Sequence, residues 1–153
     1  MASVRVQKSD FDPGAEAEAL ARGRTDVGAL VTFVGYCRDE GGRLAALELE
    51  HYPGMAEEEI TRAAREAEAR WPLLGATVIH RYGRIAPGER IVLVAVAASH
   101  RGAAFAAAEM LMDYLKTRAP FWKRALRLGG GLEGWVEAKE QDDRSAARWS
   151  PAD

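Results

Sequence analysis

Arg90 to Ser99 (RIVLVAVAAS) is apolar on both faces, and no other segment constrains the fold as strongly. A strand that buries both faces must lie centrally in a sheet with other elements covering each side. It should therefore cross the core. Immediately past Ser99 the apolar period becomes helical and continues to Ala119, where Pro120 forbids continuation. On the other side, the turn Ala86-Pro87-Gly88-Glu89 separates the run from a second candidate strand, Thr77 to Tyr82.

The remaining elements fall around this centre. Ser3 to Gln7 alternates Val4 and Val6 with polar neighbours, and Asp12-Pro13 offers a helix cap followed by proline, predicting a short helix through Leu20. Val27 to Gly35 reads as a strand running into the polar loop from Tyr36 to Gly42. Leu44 to Tyr52 reads as the next, with Leu47, Leu49 and His51 on one face and Glu48, Glu50 and Tyr52 on the other. Between Ala56 and Trp71 the positions Ile60, Ala63, Ala64, Ala67 and Trp71 keep helix period, and Pro72 stops it. Arg124 to Leu128 and Trp135 to Lys139 bracket Gly129-Gly130-Gly131, a predicted hairpin, and 139–153 is a polar tail. A length of 153 residues fits one domain over 1–153, with no repeat or linker. The expectation is an α+β fold with about three helices on a largely antiparallel sheet and a small β-hairpin subdomain.

Composition narrows the function. With 48% hydrophobic and 29% charged residues the chain is ordinary globular, and a net charge of −2 provides no whole-chain attraction for nucleic acid or anionic membrane. The N-terminus MASVRVQKSD has no apolar signal core, and the longest apolar run is too short to span a bilayer, so a cytoplasmic protein is expected. Cys37 is the only cysteine and the three histidines are far apart in sequence, which argues against a disulfide or a metal site. Paired catalytic carboxylates, a phosphate loop, a dinucleotide fingerprint and a nucleophile elbow are all missing.

Any anion site must then be local, and three segments offer one. Ser99-His100-Arg101-Gly102 stands where the central strand hands over to a helix, so unpaired N–H groups, His100 and Arg101 could hold a phosphate, or merely cap the helix. From Lys116 to Arg127 no acidic residue interrupts a basic-aromatic run. Phe105, Glu109, Met112 and Lys116 align along the helix, placing Lys116 on the border between apolar and polar arcs. There the amine could be partly desolvated for chemistry, or snorkel to solvent and pair with Asp113. Arg38 would be a third anion ligand if its loop folds over the other two segments. Cys37 reads as a small buried hydrophobe unless a base or a positive charge activates it. His51 and His80 lie within strand patterns and read as structural. The same basic-aromatic segment, 116–127, could instead bind single-stranded RNA, and His100, Arg101 and Lys116 could serve a phosphate-handling enzyme of another kind.

The segments GALVTFVG-x-x-R, LELEHYPGM, VIHRYGRIAPGE, SHRGAAF, MDYLKTRAPFWKR and WVEAKE, in this order from Val27 to Trp149, closely resemble the large subunits of molybdopterin synthase. The resemblance implies an α/β hammerhead fold and sulfur transfer onto cyclic pyranopterin monophosphate, giving a dithiolene. It implies a ubiquitin-like small subunit whose C-terminal Gly-Gly carries the sulfur as a thiocarboxylate, and a homodimer of large subunits with one small subunit at each end. No resident cofactor or metal is called for. By position, Lys116 and Lys123 match the family's active-site lysines. Tyr36-Cys37-Arg38, His100-Arg101 and Lys123-Arg124-Ala125 match its substrate-binding segments, together with Lys116. Lys139, where relatives can carry arginine, is a weaker candidate that could reach a neighbouring subunit's site. Cys37 gains no role of its own from the likeness.

Overall fold

The computed structural model describes residues 2–129, 144 and 146–149. In chain order these form β1 (Ala2–Gln7), α1 (Pro13–Ala21), β2 (Ala29–Tyr36), β3 (Leu44–His51), α2 (Met55–Arg70), β4 (Leu73–Arg81), β5 (Gly83–Ile85), β6 (Arg90–Ala98), α3 (Arg101–Thr117) and β7 (Phe121–Arg127). As the apolar pattern predicts, β6 is central: it pairs antiparallel with β4 on one side and β2 on the other, in the order β1-β4-β6-β2. Its side chains alternate between two cores. Val94, Val96 and Ala98 meet α2 and α3 through Ile60, Ala64, Ala107 and Leu111, while Leu93 and Ala95 join Phe11 and Ile79 under Leu20 of α1. The alanines of α2 and α3 leave little side-chain volume between helix and sheet, so α3 packs closely on β6 and β2.

Local signals set the element ends. The Asp12 carboxylate accepts from the Ala15 amide at 3.1 Å, capping α1 with Pro13 at its first position. α3 ends at Thr117 rather than Ala119, because the residue before a proline is driven out of helical geometry.

The expected largely antiparallel α+β architecture with three helices is what forms, its strands divided between two sheets with one parallel pairing. β1 runs parallel to β4, and β5-β3-β7 forms a separate antiparallel sheet around Cys37, Leu44, Leu49, Ile85 and Ala125. Strand patterning records which residues alternate, not the direction or identity of the neighbour. β4 also begins at Leu73, earlier than Thr77, since its first residues are only half-buried and carry a weaker signal. The predicted hairpin strand Trp135 to Lys139 lies outside the described residues. Among the described residues, no helix is long and apolar enough to cross a membrane.

Candidate active site

The segment Tyr36-Cys37-Arg38 leaves the large sheet at an irregularity between Gly35 and Tyr36. Beyond it the Cys37 amide donates to the Glu89 carbonyl at 2.8 Å, and the Gly88 amide donates to the Cys37 carbonyl at 2.7 Å. Gly88 adopts φ +88°, a conformation that favours glycine, so the Ala86–Glu89 turn can close on this segment. Cys37 points inward and is buried, and burial pushes its thiol pKa up. In extended chain the residues on either side point the opposite way. Tyr36 is accordingly 54% exposed and Arg38 is exposed.

Tyr36 and Lys116 meet at one cavity of about 100 Å³, whose wall includes Phe33, His80, Met112 and Leu115. Met112 and Lys116 stand one helical turn apart on α3, so the same face that contributes the apolar wall also brings the amine to it. Lys116 is exposed at the cavity edge. The alternative of a Lys116–Asp113 pair is not what forms: the Asp113 carboxylate accepts from Arg148 at 3.0 Å and from the Trp149 indole N–H.

His80 is 8% exposed and lies flat on Phe121, ring centroids 3.8 Å apart and planes 16° from parallel. Its Nδ1 is 2.8 Å from the Arg81 carbonyl oxygen. A carbonyl only accepts, so Nδ1 carries the proton and Nε2 the lone pair. Burial, assisted by the nearby Lys116 and His51 charges, pushes the His80 pKa down to about 4, against the opposing effect of the Arg81 carbonyl.

Lys123 lies on the same face of β7 as Phe121 and Ala125, both packed inward, and is itself half-buried. Arg124 faces the other way. It sits opposite Glu48 in the ladder, and its Nε and Nη2 donate to the Glu48 carboxylate at 3.1 and 3.0 Å. Ala125 is buried beneath the small sheet, opposite Leu47.

His100 and Arg101 do not join this cavity. They are exposed at the N-terminal end of α3, with His100 as the capping residue in extended backbone. Lys116 is fifteen residues further along the helix than Arg101, roughly 22 Å at about 1.5 Å per residue. One chain therefore separates two cationic groups that the sequence reading brought together. Lys139 lies outside the described residues. Sequence reasoning missed His80 and Phe33 as cavity residues; the available signal was a histidine standing in the otherwise buried stretch Ala76–Arg81.

A family profile described as "MoaE protein" matches residues 6–118. The chain is 65% identical over 147 residues to the molybdopterin synthase catalytic subunit of Mesorhizobium japonicum, covering 96% of this chain and 92% of that protein. The molybdopterin biosynthesis MoaE protein of Burkholderia ambifaria superposes with a TM-score of 0.83 at 50% identity, covering 97% of this chain and 98% of that one. The crystal structure of molybdopterin synthase from Staphylococcus aureus aligns with a TM-score of 0.75 at 27% identity, over 84% of this chain and 95% of that one. With a matching profile over most of its length and relatives this similar end to end, the chain belongs to the MoaE protein family.

Proposed function

We propose that this chain is the catalytic subunit of a molybdopterin synthase, a cytoplasmic sulfur transferase that converts cyclic pyranopterin monophosphate to the dithiolene molybdopterin. The observation that carries the reading is the shared cavity of Tyr36 and Lys116 in a chain 65% identical to a molybdopterin synthase catalytic subunit. Sulfur arrives as the C-terminal thiocarboxylate of a ubiquitin-like small subunit, so no thiol of this chain need act, consistent with a buried Cys37. Lys116 and Lys123 move protons and steady developing charge as the ring opens, while Tyr36, Arg38, Arg124 and the backbone at Ala125 hold the substrate. The RNA-binding alternative for 116–127 is disfavoured by the net charge of −2, which provides no whole-chain attraction for nucleic acid.

The roughly 22 Å along α3 between Arg101 and Lys116 favours a homodimer in which His100 and Arg101 of a second copy complete the phosphate site. Edge strand β2, paired only with β6 among the described residues and carrying exposed Leu30 and Phe33, offers surface for that association. Incubation with cyclic pyranopterin monophosphate and thiocarboxylated small subunit should yield dithiolene; none formed by the folded wild-type chain would overturn the reading. Removing the small subunit's last two residues should abolish transfer. Mixing Lys116→Ala with Arg101→Ala chains should restore about a quarter of wild-type activity if each site draws on two copies, because only half the dimers are mixed and each has one intact site. No recovery after subunit exchange would place His100 and Arg101 outside the shared site.

A further inference from the structure

We propose that His80 is a positioning residue for Lys116: its unprotonated Nε2, fixed at the cavity wall, accepts a hydrogen bond from the Lys116 amine, directly or through one water. The inference rests on the function proposed above and adds to it a group that the family's substrate-binding segments do not include.

Three observations carry it. His80 is a buried polar side chain in a strand where Ala76, Val78 and Ile79 are buried apolar residues and Thr77 and Arg81 buried polar ones, a costly placement unless its nitrogens are used. Its ring has no freedom to turn away, since Phe121 covers one face and the Arg81 carbonyl holds Nδ1. The nitrogen left over belongs to a ring that lines the same cavity as Lys116. A donor and an acceptor thus share one small, partly apolar space.

The chemistry of the acceptor matters. A carboxylate in this place would clamp a neighbouring amine in its charged form, whereas a neutral imidazole orients the amine with a much weaker bias towards that form. Other groups facing His80 do not alter this. Tyr36 approaches from β2, His51 from β3 across Phe121, Lys123 shares the inner face of β7, and none of these is an acid that would charge the ring at neutral pH. His80 pushed down to about 4 remains an acceptor throughout the range in which such an enzyme works.

The test combines nitrogen NMR of the full chain with single-turnover kinetics. The His80 ring should show the neutral Nδ1–H form across about pH 6 to 8, and its Nε2 resonance should move in a Lys116→Met variant. His80→Leu should slow single turnover by about tenfold or more while changing substrate affinity less than about twofold. His80→Gln, whose amide oxygen reaches towards the Nε2 position, should recover part of the rate. In the Lys116→Met background His80→Leu should add almost no further loss. A proton found on Nε2, an Nε2 resonance indifferent to Lys116→Met, or fully additive rate losses would each overturn the proposal. If His80→Leu does not fold, the NMR of the wild-type and Lys116→Met chains still decides. The NMR result is read without turnover, so it separates failure of this contact from failure of the proposed activity.

Discussion

Cys37 and Lys116 both stand in segments that match the family's substrate-binding positions, yet burial gives them opposite prospects. Cys37 is 1% exposed and its thiol pKa is raised by burial, so its thiolate is scarce at neutral pH. Cys37→Ser should keep single-turnover activity within about twofold of wild type while costing about 1–2 kcal/mol of stability for a hydroxyl placed in an apolar cluster. Loss of turnover in a folded Cys37→Ser chain would mean a sulfur relay through this chain. Lys116, at the open edge of the cavity, is the group on which the chemistry is staked. Lys116→Ala should lower the single-turnover rate at saturating substrate by at least about 100-fold, the low end for general acid–base catalysis. Lys116→Arg should not restore it, because a guanidinium keeps its proton at any working pH. Near-normal turnover by Lys116→Arg would reduce the lysine to a charge that holds phosphate.

Among the elements, β6 and α3 do most to place the site. β6 feeds directly into α3 through Ser99-His100, so one connection fixes the helix start, and seventeen residues of helix carry Lys116 to the far end. The entry of β2 is packed against that connection. A Cβ added to Gly28 would stand 2.0 Å from the Ser99 carbonyl oxygen, a clash with backbone that no rotamer relieves. Gly28→Ala should therefore destabilise the fold by about 2 kcal/mol or more, lowering the melting temperature by about 4–8 °C for a domain of this size. Unchanged thermal unfolding would show that the Ser99 segment yields without cost. At the other end of β2, the Gly88 and Glu89 bonds to Cys37 decide where Tyr36 and Arg38 point.

For the whole molecule, the neutral His80 links stability to pH. Its folded-state pKa is about 4 against an ordinary 6.5. Above the ordinary value both folded and unfolded chains leave the imidazole uncharged, and its contribution is fully present. As pH falls below it the unfolded chain binds a proton that the folded chain refuses, so stability drops until about pH 4, by an amount of order 3 kcal/mol. Denaturant unfolding of the wild type over this window should show that decline, and His80→Gln should show a shallower one. Equal slopes in the two chains would mean that His80 takes up its proton as readily in the fold as in the unfolded chain.

Much of this architecture is legible in the chain itself. The two-faced apolar run of β6, the helix periods of α2 and α3, the Asp12-Pro13 start and the Pro120 stop are local consequences of side-chain alternation and backbone geometry, and so is the basic stretch around Lys116 and Lys123. Placing those lysines in a functional site depended on motif likeness, because helix geometry alone is equally compatible with a solvated surface. What the tertiary structure alone decided is which of these pieces meet. It paired β1 parallel with β4, split the strands into two sheets, turned His80 towards the cavity of Lys116 and left His100 and Arg101 at the opposite end of α3. Periodicity is a property of neighbouring residues and can be read from them. Strand partners and convergent side chains are set by packing among residues dozens of positions apart, for which neither alternation nor helix period carries a signal.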